Sequence, residues 1–265
     1  METTKLLQIL ARDGELLADA AERAELDARV ASCPEWTVRD LVAHTGRIHR
    51  WATGFVAHQL TEPRRPPQDP ELQGAELLAW FREGHGALVS ALRSAPDDLE
   101  CWTFLPSPTP RAFWARRQAH ETAIHRVDAE LARGAGVSLI DADFAMDGVD
   151  ELLTGFHGRE RSRVHSEQPV VLRLHSTDTA ARWTVRLSDG PLAVERQGEG
   201  AAAPQQTAID EDTEGAARTQ AAQCTLIGST ADLYLTLWNR PPSGEVRTEG
   251  DTAVAALWRE TSAIV

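Results

Sequence analysis

The chain has 265 residues, ordinary hydrophobic and charged fractions (42% and 25%), and 27 Lys plus Arg against 40 Asp plus Glu, a formal net charge of −13. That length predicts one large or two ordinary domains, and that charge disfavours nucleic acid or an anionic membrane as a partner. No run approaches the roughly 18 apolar residues of a membrane span, and the first residues lack the charged start, apolar block and cleavage site of a signal peptide, so the cytoplasm is the expected address.

Three cysteines, Cys33, Cys101 and Cys224, are too few and too scattered for a disulfide framework or a thiolate zinc site. Lys5 is the one lysine among many arginines, a compositional hint of a high-GC source.

Apolar residues at three- and four-residue steps predict a first amphipathic helix over 3–28, closed by Ser32-Cys33-Pro34. The second helix announces its start. Thr37 is a suitable N-cap, Asp40 three residues on completes a capping box, and Trp36 with Leu41 fits a hydrophobic staple. It should run from Val38 to about Gln59. At roughly 100° per residue, Asp40, His44, Ile48, Trp51 and Phe55 share one stripe, while His49 points to the far side. Residues 61–70 hold four prolines and form a loop. A third helix is expected over 71–93, an irregular segment over 94–110, and a fourth helix from about Arg111 to Arg133, stopped by Gly134 and Gly136. A further helix over 143–156 follows.

From about Arg159 the pattern changes. Strand candidates are 170–175, 182–187, 192–196, 224–228 and 245–250. A loop is expected over 198–207, and 212–221 is ambiguous. Ser229 with Asp232 caps one helix, and Asp251 caps a last one. The expected fold class is therefore α+β in two domains: a helical domain over 1–160 and a smaller α+β domain over 165–265, divided near 158–168. Four main helices suggest a four-helix bundle, a fold that builds metal sites from facing side chains.

The fourth helix reads RRQAHETAIHRVD over 116–128. Glu121 and His125, four apart, lie on one face and can reach one divalent ion. Trp114, Arg117, Gln118 and Asp128 share that face. Such a polar face beside the core needs a reason, because unpartnered buried charge is costly. An internal lattice, Arg117 to Glu121 and His125 to Asp128, is one explanation. A metal pocket completed by His44 is the other. His44, Glu121 and His125 leave open positions on Zn²⁺, and their nitrogen and oxygen donors also suit Ni²⁺, Fe²⁺, Co²⁺ or Mn²⁺. Asp40 and Asp128 are candidate acceptors for the ligand imidazoles, with helix-cap or surface roles as their alternatives. Trp51 and Trp114 belong to the core or wall the pocket. His120 projects about 100° from Glu121 and packs elsewhere.

Two segments, CPEWTVRDLVAHTGRIHRWA (33–52) and ARRQAHETAIHRVDAE (115–130), resemble the mycothiol-dependent maleylpyruvate isomerase family, actinobacterial members of the DinB-like superfamily. GSTADLYLTLWNR with VRTEGD (228–251) resembles that family's C-terminal domain. The resemblance implies a DinB-like bundle, a metal triad at His44, Glu121 and His125, zinc as the usual metal, and mycothiol as cosubstrate. The expected activity is thiol activation for addition to an electrophilic small molecule, giving either thiol transfer or cis–trans isomerisation. A non-catalytic ligand- or partner-binding protein and a metal-dependent hydrolase are the alternatives.

Overall fold

A computed structural model describes residues 1–134, 136–198 and 223–264. The expectations for 199–222 lie outside the described residues. The chain divides into two compact units, Met1–Leu139 and Ile140–Val265.

The first unit is built from α1 (Thr3–Arg23), α2 (Val38–His58), α3 (Gly74–Ser94) and α4 (Pro110–Ala132). α2 starts as its sequence dictates. The Thr37 side chain accepts from the Asp40 amide and the Asp40 carboxylate accepts from the Thr37 amide, so two otherwise orphaned N–H groups are satisfied. α2 ends at Gln59, which adopts a left-handed conformation at φ 51°. Pro110 opens α4 behind a Thr109 cap, where a missing N–H costs nothing.

Leu17, Val30, Val38, Leu41, Leu77 and Phe81 form the centre of an apolar cluster. α1 packs chiefly on α4, and α2 on α3. The latter pair approach closely at Gly46 and Gly84. A Cβ on Gly46 would meet the Trp80 ring at 2.4 Å, and one on Gly84 would meet the Arg50 guanidinium at 1.8 Å. Arg50 lies over Trp80 at 3.9 Å from the ring centroid, a cation–π contact.

α4 buries side chains on every side, charged ones included. Arg126 NH1 bonds Glu130 Oε2 at 2.8 Å and its Nε lies 3.5 Å from Asp13 Oδ2 of α1. Glu130 also accepts from the Ser138 amide and hydroxyl. All three charged groups are buried, so Arg126 and Glu130 compensate each other, while Asp13 also takes Arg12 Nε at 2.7 Å.

The second unit opens with α5 (Ala142–Asp150) and a π-helical turn (Glu151–Phe156). A five-stranded sheet follows: β1 (Val170–Ser176), β2 (Arg182–Leu187), β3 (Ala193–Gln197), β4 (Cys224–Gly228) and β5 (Arg247–Gly250). Helix α6 (Thr230–Leu237) lies between β4 and β5, and α7 (Thr252–Thr261) comes last. The strand order is β3-β2-β1-β4-β5, with β1 and β4 parallel and the other pairs antiparallel. Leu172 pairs with Val185 and Cys224, and Leu174 with Trp183 and Leu226. These side chains alternate onto one buried face, as period-2 strands require.

The division falls at Leu139/Ile140, earlier than the expected 158–168. The helix assigned by its periodicity to the bundle belongs to the sheet instead. Asp150 at its end accepts from Trp183 Nε1 at 2.8 Å and pairs with Arg196 of β3. Phe144 meets Tyr234 of α6. Periodicity identifies a helix but does not say which core its apolar stripe faces.

Candidate metal centre

The structure brings His44, Glu121 and His125 together from α2 and α4. His44 Nε2 and His125 Nε2 each lie 3.3 Å from Glu121 Oε1. One donor atom from each residue falls within a 4.8 Å set. Two donors bound tetrahedrally at about 2.1 Å would stand about 3.4 Å apart, so the chemistry and the spacing both fit a divalent ion. Side-chain exposures of 23% for His44 and 21% for Glu121 leave the group reachable from solvent.

The surrounding contacts orient each member. Asp128 Oδ2 is 3.0 Å from His125 Nδ1, and Asp128 Oδ1 accepts from Ser32 Oγ at 2.5 Å. Ser32 comes from the turn between α1 and α2, which is held by the bridge of Arg29 to Thr37. Arg117 NH2 donates to Glu121 Oε2 at 3.2 Å. Thus the ion pairs of the expected lattice and the three convergent donors occur in one cluster.

Electrostatics follow from this packing. Burial pushes the Glu121 carboxyl up, but bonds to His125 and His44 and the charge of Arg117 outweigh it and hold the group well below the usual carboxylate range. Burial pulls His125 down, yet its bonds to Asp128 and Glu121 win and raise it to about 9. His125 is therefore an imidazolium between two carboxylates when no other cation is present, and a metal ion on Nε2 would replace that proton.

Asp40 does not serve His44. Its carboxylate is engaged by Thr37 and Arg39, and these bonds hold it below its usual range. The helix start claims it first. In its place Arg47 NH2 lies 3.3 Å from His44 Nδ1. A guanidinium only donates, so Nδ1 accepts and the Nε2–H faces Glu121. Arg47 is itself paired with Asp69 of the proline-rich loop at 2.9 Å.

Three aromatic neighbours were not foreseen as part of the site. Trp36, expected only as a staple, lies with its ring 4.7 Å from His44 and 5.8 Å from His125. Trp102 and Phe104 join Trp51 and Trp114 in an aromatic wall. Trp51 meets Trp114 at 5.4 Å, Trp102 at 5.9 Å and Phe104 at 6.2 Å. The wall stands two helical turns from the triad, since seven residues separate His44 from Trp51 and Glu121 from Trp114. His49 is buried with Nε2 2.9 Å from Thr122 Oγ1, and His120 is buried as well. Neither belongs to the ligand set.

Among the described residues no helix is long and apolar enough to cross a membrane. Among curated proteins none matches the chain. Two family profiles do, described as the mycothiol maleylpyruvate isomerase N-terminal domain over residues 7–130 and the MDMPI C-terminal domain over residues 143–257. The fold is similar to that of the crystal structure of the mycothiol-dependent maleylpyruvate isomerase, with TM-score 0.59 and 15% identity, and to that of a single-residue mutant of it, with TM-score 0.61 and 14% identity. Each similarity covers 94% of this chain and 93% of the other. The two profiles occupy both structural units, and the chain belongs to the mycothiol-dependent maleylpyruvate isomerase family of enzymes.

Proposed function

We propose that the protein activates a low-molecular-weight thiol, mycothiol, for addition to an electrophilic small molecule at a metal centre held by His44, Glu121 and His125. The carrying observation is the convergence of these three donors two helical turns from a partly exposed aromatic wall. A divalent cation, most simply Zn²⁺, would supply Lewis acidity that favours the thiolate form of a bound thiol. Every other role falls to the chain. Asp128 fixes the His125 tautomer with Nδ1–H outward from the triad and Nε2 toward it. Arg117 holds one Glu121 oxygen and leaves the other facing the two imidazoles. Trp36 packs against both rings and excludes water from that side.

A thiolate from the cosubstrate suits a sequence without a motif for an activated Ser or Cys nucleophile. Burial pushes the Cys101 and Cys224 thiols up, away from the reactive thiolate. Addition to a conjugated cis double bond, rotation about the new single bond and loss of the thiolate give isomerisation. If the adduct persists, the outcome is thiol transfer.

The test combines metal analysis with mycothiol-consumption and isomerisation assays. Metal-stripped protein and the Glu121→Ala and His125→Ala variants should lose activity. Full mycothiol-dependent turnover in any of them would sink the proposal.

A further inference from the structure

Gln118 of α4 is 1% exposed, and its carbonyl oxygen Oε1 has no hydrogen-bond partner among the described residues. Buried side-chain amides are ordinarily paired, and leaving one end unmade costs the desolvation of that group. Its direction is fixed by its neighbours. At about 100° per residue it lies between Trp114 and Thr122 on the helix surface. Trp114 rests against Trp51 and Phe55 of α2 at 5.4 and 5.1 Å, and Thr122 bonds His49 of α2 at 2.9 Å. Gln118 therefore faces the α2–α4 seam. Along the helix it stands one turn from Glu121 and one turn from Trp114, between the triad and the aromatic wall. Side chains at both ends of that interval reach solvent. His44 and Glu121 are each about one fifth exposed, and Trp51, Trp102 and Phe104 are half-buried.

A carbonyl oxygen only accepts, so what complements it is an N–H or O–H donor. We propose that Gln118 is a ligand-binding residue that accepts a hydrogen bond from a polar hydrogen of the small molecule seated between the triad and the aromatic wall. This rests on the reading of the triad as the anchor for a thiol and its electrophile. Mycothiol, with hydroxyl and amide donors, supplies such a hydrogen. An electrophile with a hydroxyl group supplies the same chemistry.

The experiment uses the zinc-loaded full chain and the Gln118→Met variant, which keeps the length of the side chain and removes the amide. Mycothiol is compared with ethanethiol, which has no N–H or O–H. The expected result is about a tenfold rise in KM for the donor-bearing ligand, the loss of one neutral hydrogen bond. KM for ethanethiol, metal content and fold stay unchanged, and Tm stays equal or rises because an unpaired polar group is gone. A rise confined to the electrophile assigns the donor to that partner. Unchanged KM for both, with a raised Tm, overturns the proposal. If wild-type protein shows no mycothiol-dependent turnover, the functional reading fails separately. Binding of mycothiol and of the electrophile, followed by tryptophan fluorescence, then decides Gln118, and equal dissociation constants in both proteins overturn it. Should Gln118→Met fail to fold, Gln118→Asn retracts the amide by one methylene and should show the same loss.

Discussion

Asp128 offers the sharpest test of the proposed metal centre, because it meets the triad at His125 Nδ1. Its side chain is fully buried, with Oδ2 3.0 Å from His125 Nδ1 and Oδ1 taking the Ser32 hydroxyl at 2.5 Å. Replacing such an acceptor behind a metal-bound histidine weakens metal affinity by about 10- to 100-fold, which is about 1.4–2.7 kcal/mol. Asp128→Asn keeps the shape and one accepting oxygen but removes the charge, so it should fall near tenfold. Asp128→Ala also frees the imidazole to rotate and should fall near a hundredfold. The assay is competition for Zn²⁺ against a chromophoric chelator, with circular dichroism to establish that both variants are folded. Activity should return at saturating zinc if orientation alone is lost. Folded variants that bind zinc as tightly as the wild type would refute the reasoning, since His125 would then need no partner at Nδ1.

Three further outcomes follow from the same contacts. Arg47→Met should tighten zinc binding by a few fold in the same competition assay, because Arg47 places a cation on His44 and favours the tautomer with Nε2 protonated; weaker binding would contradict this. Arg126→Met leaves the buried Glu130 without its cation and Asp13 with Arg12 alone and should cost about 3–5 kcal/mol in denaturant unfolding, whereas a loss under about 1 kcal/mol would show the Arg126–Glu130 pair to be solvated. Burial, with the charge of Arg159 adding to it, lowers His157 to about 4. The unfolded chain, at about 6.5, therefore takes up the proton first. Stability is complete above that value and falls as pH drops from about 6.5 toward 4, by about 2 kcal/mol at pH 5; the pH 7-to-5 loss should be correspondingly smaller in His157→Asn.

What was legible in the sequence had local causes. The α2 start could be read because Thr37, Asp40 and the helix period are all short-range. The convergence of three donor side chains could be read because Glu121 and His125 share a face by spacing and His44 sits on an apolar stripe, so three local facts met at one point. The supporting shell was less accessible. Asp40 had two eligible partners, and only the folded chain shows that the cap claims it while Arg47 reaches His44. Ser32 and Trp36 come from a turn whose bridge is a tertiary outcome. Trp102 and Phe104 lie in a segment bounded by prolines with no period to follow, and their place in the wall depends on the packing of Trp51 and Trp114. The division between units escaped for the same reason: α5 has a helical pattern, and the partners of Asp150 and Phe144 lie tens of residues downstream.

The pairing of α1 with α4 has a consequence for the order of events during synthesis. Roughly 90 residues separate Arg23 from Pro110, and at about 5–20 residues per second they take about 5–20 s to emerge. Throughout that interval Leu10 and Leu17, fully buried in the finished bundle, have no α4 to meet. The first helix leaves the ribosome as an amphipathic segment awaiting its mate. That makes the nascent α1 the point at which holdase chaperones or aggregation compete with folding.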